Sequence, residues 1–135
     1  MTIFIDTSAF YAILDRDDAN HASAADTWLR LLRDEQALLT SNYVLLETSA
    51  LLQNRLGIAA LRAFHQDVVP LLQIDWVSEE RHYSGVEAAL AASRKHLSVV
   101  DCIAFQTMRE NGVRTAFCFD RHYAEQGFAI LPIHG

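Results

Sequence analysis

Two aspartates each follow a short apolar run of the kind that forms a buried strand. Asp6 comes directly after residues 3–5, and Asp120 comes directly after residues 115–119. Open parallel sheets bind ligands just beyond the carboxyl ends of their strands, so both carboxylates are candidates for a binding site. The simpler alternative is that each one caps the helix that follows it, because Asp is a favoured N-cap residue.

Two further acids lie in segments that the sequence predicts to be helical. Glu47 is the one charge within residues 43–52, and a glutamate is rarely buried unless it is paired or binds a metal. The alternative for Glu47 is a place at the rim of the packed face. Asp101 lies three residues after Ser98, which is the spacing of a capping box. A first-turn Asp can cap its helix and still point toward the strand ends.

The four acids together indicate one chemistry if the two strands are neighbours in the sheet. Two carboxylates ~4 Å apart repel by about 4 kcal/mol at an effective dielectric constant of 20, so a cluster of four needs a cation. Mg²⁺ and Mn²⁺ prefer oxygen ligands of this type. In such sites one ion activates water, and one or two ions neutralise charge on a phosphate. The pattern therefore predicts metal-assisted hydrolysis of phosphodiester bonds.

The elements that position these acids alternate between strand and helix along the whole chain. This alternation predicts a three-layer α/β fold with a parallel sheet. On the helix of residues 78–95 we expect Val86, Ala89, Leu90 and Ala91 to face inward. The predicted strands are residues 3–5, 37–40, 73–77, 115–119 and 129–133, and the helices between them cover residues 8–14, 20–34, 42–56, 58–67, 78–95 and 98–110.

Composition limits the class of protein. The 135 residues suit one domain, and 51% of them are hydrophobic. No apolar run is long enough to cross a membrane and no signal peptide is apparent, so we expect a cytoplasmic location. We expect Cys102 and Cys118 to be reduced core thiols. The net charge of −6 argues against a protein that coats nucleic acid, and it suits a basic protein partner.

Four segments of the chain resemble one family of proteins. Residues 3–9, 41–52, 97–104 and 115–123 are similar in content and order to the motifs of the PIN-domain ribonucleases. Among these, the chain resembles the single-domain VapC-type toxins of bacterial and archaeal toxin–antitoxin pairs. The resemblance implies that Asp6, Glu47, Asp101 and Asp120 are the catalytic acids that bind Mg²⁺ or Mn²⁺. Asp6 would be the central ligand, with the capping role left to Thr7 or Ser8.

The resemblance also implies an architecture and partners. The expected fold is a single PIN domain over residues 1–135, with a central parallel sheet of strand order 3-2-1-4-5 between helices. A homodimer, an RNA substrate and an antitoxin that blocks the site are implied as partners. After the fourth strand only Asp120 is available as an acid, so the ligands of a second metal ion stay open.

Several residues near the proposed site admit two explanations. Arg16, Arg121 and the group of residues 94–96 are candidates for RNA phosphate contacts, or they are solvated surface charges. We expect His122 not to act as a general base, because a metal ion that activates water needs no histidine.

Three other functions compete with the toxin. A PIN nuclease of RNA processing would share the acids but lack an antitoxin, and a catalytically silent PIN-like binding module would have lost one or more of them. A haloacid-dehalogenase-like phosphatase is disfavoured, because Ser8 stands where its DxD motif requires a second aspartate. The sequence does not name the RNA target.

Overall fold

A parallel sheet flanked by helices forms the framework of the computed structural model, which describes residues 1–133. The strands are β1 (Thr2–Ile5), β2 (Ala37–Ser41), β3 (Gln73–Asp75), β4 (Thr115–Phe117) and β5 (Ala129–Leu131). The helices are α1 (Thr7–Leu14), α2 (His21–Arg33), α3 (Asn42–Leu56), α4 (Ile58–Ala63), α5 (Glu79–Ala92), α6 (Val99–Glu110) and α7 (His122–Glu125).

The five strands are ordered β3-β2-β1-β4-β5, and every neighbouring pair is parallel. This confirms the predicted sheet. β1 is central, with Ile3 opposite Leu38 of β2 and Ile5 opposite Phe117 of β4. The N–H of Asp6 donates to the carbonyl oxygen of Phe117 at 3.1 Å, so the chain leaves β1 directly beside the end of β4. The two strands that end in aspartate are therefore neighbours.

The apolar run of β1 is buried because helices cover both faces of the sheet. Ile3, Phe4 and Ile5 have no solvent exposure, as expected for a central strand of a parallel sheet. Cys102 and Cys118 are buried and not disulfide-bonded. None of the helices within residues 1–133 is long and apolar enough to cross a membrane.

Helix α5 departs from the prediction in length and in orientation. It ends at Ala92 rather than residue 95, and Ser93 follows in a left-handed conformation with φ of 51°. α5 packs on α6 through Gly85, where an added Cβ would lie 2.3 Å from Cγ1 of Ile103. Leu90 lies on another side of the helix and is 73% exposed, so its predicted inward position is wrong. Ala91 is exposed as well.

The predicted helix over residues 58–67 is regular only as far as Ala63. It continues as a π-helical turn, Phe64–Val68, and a 3₁₀ turn, Val69–Leu71. Pro70 lies within the second turn, and proline has no N–H with which to continue an α-helix. The N–H of Val69 bonds back to the carbonyl of Phe64, which closes the wider turn before the proline.

Three strands are shorter than predicted. Beyond the ends of two of them a backbone N–H bonds to a side chain, and beyond the third a proline stands. After β3 the N–H of Val77 bonds to Oδ1 of Asn42 at 2.7 Å. After β4 the N–H of Phe119 bonds to Oγ of Ser8 at 2.9 Å. β5 is followed by Pro132, which has no N–H to donate.

Candidate active site

Asp6 is buried at the carboxyl end of the central strand, with both carboxylate oxygens held. Oδ2 accepts hydrogen bonds from the N–H of Ser8 at 3.2 Å and from Oγ of Ser8 at 2.8 Å. Oδ1 accepts a hydrogen bond from the hydroxyl of Tyr123 at 2.9 Å. Burial raises the pKa of Asp6, the bonds from Ser8 and Tyr123 oppose the rise, and the charge of Asp120 adds to it.

The residue that caps α1 differs from the one expected. Asp6 is itself the N-cap, with extended backbone angles and its side chain on the N–H of Ser8. The expectation that Thr7 or Ser8 would cap the helix is wrong, because the carboxylate of Asp6 itself accepts the free N–H of Ser8. The hydroxyl of Ser8 instead links Asp6 to the N–H of Phe119. One serine thereby ties the end of β1 to the segment that leads from β4 to Asp120.

Glu47 lies on α3 at the rim of its packed face. The buried residues of this helix are Val44, Thr48 and Leu52, which follow one another at intervals of four. The expectation that the apolar composition of α3 would bury Glu47 is wrong, and the rim position is correct, since the glutamate is exposed. Partial loss of solvent raises the pKa of Glu47, and the charges of Asp6, Asp101 and Asp120 raise it further.

Asp101 lies in the first turn of α6 and forms the predicted capping box. Oδ2 of Asp101 accepts from the N–H of Ser98 at 3.1 Å, and Oγ of Ser98 accepts from the N–H of Asp101 at 3.0 Å. Desolvation raises the pKa of Asp101, the hydrogen bond from Ser98 opposes the rise, and the charges of Asp6 and Asp120 add to it. Capping and a place beside the other acids are thus compatible.

Asp120 brings a histidine into the same group. Oδ1 of Asp120 accepts from the N–H of His122 at 2.9 Å and lies 3.0 Å from Nδ1 of the same residue. Nδ1 is also 3.9 Å from Oδ2 of Asp101. Asp101, Asp120 and His122 each offer a ligand atom within 4.8 Å of the others. From the sequence, His122 was weighed only as a general base, although its place two residues after Asp120 is visible there.

The arrangement fits a divalent cation. Burial and mutual repulsion raise the pKa values of Asp6, Glu47 and Asp101 together, so the site opposes its own full ionisation. A bound cation offsets that repulsion, and carboxylate oxygens are suitable ligands for Mg²⁺ or Mn²⁺. The charges of Asp6, Asp101 and Asp120 each raise the pKa of Glu47, so all three lie within electrostatic reach of it. Among residues 1–133, Asp101 and Asp120 place ligand atoms within 4.8 Å of each other and of His122, whereas Asp6 and Glu47 are not part of that close group.

Comparison with known families decides the class of this fold. The family model described as "PIN domain" matches residues 3–129. The chain belongs to the PIN domain family. The predicted resemblance is thereby confirmed at the level of the family.

This PIN domain is similar in sequence to a named endonuclease over most of both chains. It is 31% identical over 127 residues to the protein named "23S rRNA-specific endonuclease VapC20" of Mycobacterium tuberculosis, across 93% of this chain and 95% of that one. The crystal structure of VapC20, described as a sarcin-ricin loop cleaving toxin, superimposes with a TM-score of 0.81 at 30% identity and covers 94% of this chain and 96% of that one. The predicted similarity to VapC-type toxins is confirmed.

A more distant solved structure shares the fold alone. FitAcB from Neisseria gonorrhoeae matches with a TM-score of 0.68 at 16% identity, over 96% of each chain. The overall fold is therefore preserved at this low sequence identity.

Several basic side chains lie in segments near the acids along the chain. The side chain of Arg121, next to Asp120, is 87% exposed and lies 3.9 Å from Glu125. Arg94 forms an ion pair with Glu125 at 3.1 Å. Arg16, Lys95 and His96 are exposed. Arg121 is therefore more available for a ligand than Arg94, whose charge already has a partner.

Proposed function

We propose that this PIN domain, a single domain over the whole chain, is a Mg²⁺- or Mn²⁺-dependent endoribonuclease and the toxin of a type II toxin–antitoxin pair. The observation that supports this most is the position of the acids at the carboxyl edge of a sheet shared with VapC20. Asp101 and Asp120 lie beside each other, and their charges and that of Asp6 raise the pKa of Glu47. A relative named as an endonuclease at 31% identity supports the reaction class.

The proposed roles follow from how each acid is held. A bound Mg²⁺ or Mn²⁺ would lower the pKa of water and neutralise charge on the scissile phosphate. Asp6, whose two oxygens are fixed by Ser8 and Tyr123, would be the central ligand. Asp101 and Asp120, which are held by backbone N–H groups, would supply further oxygen ligands. Glu47 borders solvent, where it can orient the attacking water and accept its proton.

The substrate is RNA, gripped through its phosphates. Arg121 has an exposed guanidinium beside Asp120, and phosphate contacts of this kind position a nucleic acid without reading its sequence. VapC20 is named a 23S rRNA-specific endonuclease, so 23S rRNA is the first substrate to test. Attack by water on the phosphorus leaves a 5′-phosphate on one product and a 3′-hydroxyl on the other.

The proposed protein partners are an antitoxin and a second copy of the chain. The net charge of −6 favours a basic segment in the antitoxin. Exposed apolar residues on α3 and α5 favour the homodimer, with Leu46 72%, Tyr83 59% and Leu90 73% exposed. Tyr83 and Leu90 lie seven residues apart on one helical face. Tyr43 contacts His82 with ring centroids 5.7 Å apart, so α3 and α5 are adjacent at this surface.

RNA cleavage by the purified protein tests the proposed function. Wild-type protein is incubated with RNA in Mg²⁺, Mn²⁺ or EDTA beside Asp6→Asn, with Asp17→Asn in an exposed turn as the matched control. We expect cleavage only with metal, and a loss on the order of 10³-fold in Asp6→Asn alone. Equal cleavage by wild type and Asp6→Asn would overturn the proposal.

The toxin role is separable from the nuclease activity. Expression of the chain should arrest growth, and co-expression of a small DNA-binding protein encoded immediately upstream should relieve the arrest. RNA cleavage without arrest, and without such a gene, would favour a nuclease of RNA processing. Partner binding without metal binding or cleavage would favour a silent binding module.

A further inference from the structure

The ring of His122 lies between two of the acids and is not used by the proposed roles above. The residue is 9% exposed, and its Nδ1 is buried without a hydrogen-bond partner among residues 1–133. Nδ1 nevertheless lies 3.0 Å from Oδ1 of Asp120 and 3.9 Å from Oδ2 of Asp101. A buried polar atom is normally paired, so this one calls for an explanation.

An ordinary histidine–carboxylate hydrogen bond does not account for the contact. The distance from Nδ1 to Asp120 is short enough for such a bond, yet Nδ1 is left without a hydrogen-bond partner among residues 1–133. The same oxygen of Asp120 already accepts the backbone N–H of His122 at 2.9 Å. Nδ1 and two carboxylates therefore converge on one small volume, with all ligand atoms within 4.8 Å of one another.

We propose that Nδ1 of His122 is a direct ligand of the divalent ion, together with Asp101 and Asp120. Adjacent ligands of an octahedral ion at ~2.1 Å lie about 3.0 Å apart, which matches the Nδ1–Oδ1 separation in this chain. The inference rests on the proposed metal-dependent function and adds an imidazole to a site otherwise made of carboxylates. It also supplies a ligand after the fourth strand, where the sequence offered only Asp120.

A nitrogen ligand has a consequence for the choice of metal. Mg²⁺ is best served by oxygen ligands, whereas imidazole binds transition-metal ions well. The site should therefore prefer Mn²⁺ to Mg²⁺. Replacing His122 by Gln removes Nδ1 while keeping a polar group of similar reach, so the preference for Mn²⁺ should fall and the weaker binding of Mg²⁺ should change little.

Pulsed electron paramagnetic resonance of the Mn²⁺-loaded protein tests the contact directly. Wild-type protein should show ¹⁴N coupling from one imidazole, and His122→Gln should not. Calorimetric titrations should give the affinities for Mn²⁺ and for Mg²⁺. In His122→Gln the ratio of Mn²⁺ affinity to Mg²⁺ affinity should fall about tenfold, the lower end of the loss in metal affinity when one group at a metal site is altered. His96→Gln, at an exposed position, is the matched control and should leave spectrum and ratio unchanged.

Each outcome separates this inference from the proposed function. Mn²⁺ binding and RNA cleavage without ¹⁴N coupling in the wild type would overturn the role of His122 and leave the nuclease intact. Absence of any Mn²⁺ binding would overturn both. The wild-type spectrum decides the matter even if His122→Gln does not fold. Equal ratios of Mn²⁺ to Mg²⁺ affinity in wild type and a folded His122→Gln would also contradict the inference.

Discussion

At the scale of single residues, Asp6 combines a structural and a chemical role. Its carboxylate caps α1 through the N–H of Ser8, and the same group accepts the hydroxyls of Ser8 and Tyr123. An oxygen of a carboxylate has more than one acceptor direction, so these bonds fix the group without using all of its lone pairs. Capping was the alternative to a functional role for Asp6, and in the structure the same hydrogen bonds fix the orientation of this proposed ligand.

The variant Tyr123→Phe removes the hydroxyl that donates to Asp6 and so tests the role of that hydrogen bond. Tyr123 is fully buried, and its phenol bonds a buried carboxylate, so its loss should lower the free energy of unfolding by about 1–3 kcal/mol. Asp6 should also hold metal less well, which should weaken Mn²⁺ binding and RNA cleavage together. Asp17→Asn, in an exposed turn, should change neither quantity. Full Mn²⁺ affinity in Tyr123→Phe would contradict the role assigned to the hydroxyl.

The raised pKa values of the acids predict how stability depends on pH. The pKa values of Asp6, Glu47 and Asp101 lie above their ordinary values of 3.8, 4.5 and 3.8. Each group therefore binds a proton more tightly in the folded chain than in the unfolded one. This contribution to stability is fully present below the ordinary values and is lost as the pH rises through the raised ones.

Thermal unfolding in EDTA measures this effect, with Asp6→Asn as the reference. Near pH 7 the metal-free Asp6→Asn protein should be at least as stable as wild type, because it lacks the buried charge. The difference in stability between the two proteins should shrink as the pH falls from about 7 to about 4. A difference that grows on acidification would contradict the raised pKa of Asp6. Mn²⁺ should raise the Tm of wild type at neutral pH.

At the scale of elements, helix starts and strand ends bring the acids together. β1 and β4 are adjacent, Ser8 joins their exits, and the capping box of α6 orients Asp101. Thr48 of α3 donates to Oγ1 of Thr7 at 3.1 Å, which anchors the helix that bears Glu47 to the start of α1. Short polar contacts therefore hold Asp6, Asp101 and Asp120, and the helix that bears Glu47 is anchored beside them.

Ser98→Ala tests the link between a helix cap and the site. Removal of the capping hydroxyl should cost about 1 kcal/mol of stability. It should also loosen Asp101, which bonds the N–H of Ser98, and weaken Mn²⁺ binding. Ser78→Ala is a matched control, because Ser78 caps α5 in the same way through the N–H of Arg81. Both variants should lose similar stability in denaturant titrations, and only Ser98→Ala should lose Mn²⁺ affinity. Equal Mn²⁺ affinities in the two variants would contradict the link.

The elements were largely predictable from the sequence, and their contacts were not. The apolar run 3–5, the capping spacing at Ser98 and Asp101, and Gly57 after α3 are local signals that hold in the structure. Leu90 was misplaced because the packing of α5 depends on the close approach of Gly85 to Ile103, two residues of different helices. The place of the His122 ring beside Asp101 likewise depends on contacts between segments, which local patterns do not contain.

At the scale of the whole molecule, the exposed apolar surface of α3 and α5 predicts a homodimer. We expect light scattering after gel filtration to give twice the mass of one chain. Leu90→Glu should shift the protein to a monomer, because a charge is costly inside an apolar interface. Leu29→Glu, at a leucine of α2 that is 62% exposed, is the control and should remain a dimer. A monomeric wild type, or a dimeric Leu90→Glu, would contradict this interface.

The central claim is that the acids at the carboxyl edge of the sheet hold a metal ion for hydrolysis of RNA. The chemical ends of the RNA products test it most directly, because attack by water and attack by the ribose 2′-hydroxyl leave different groups. In Mg²⁺ or Mn²⁺ we predict products with 5′-phosphate and 3′-hydroxyl ends, and none in EDTA. Products that end in 2′,3′-cyclic phosphate, or cleavage that persists in EDTA, would contradict the claim.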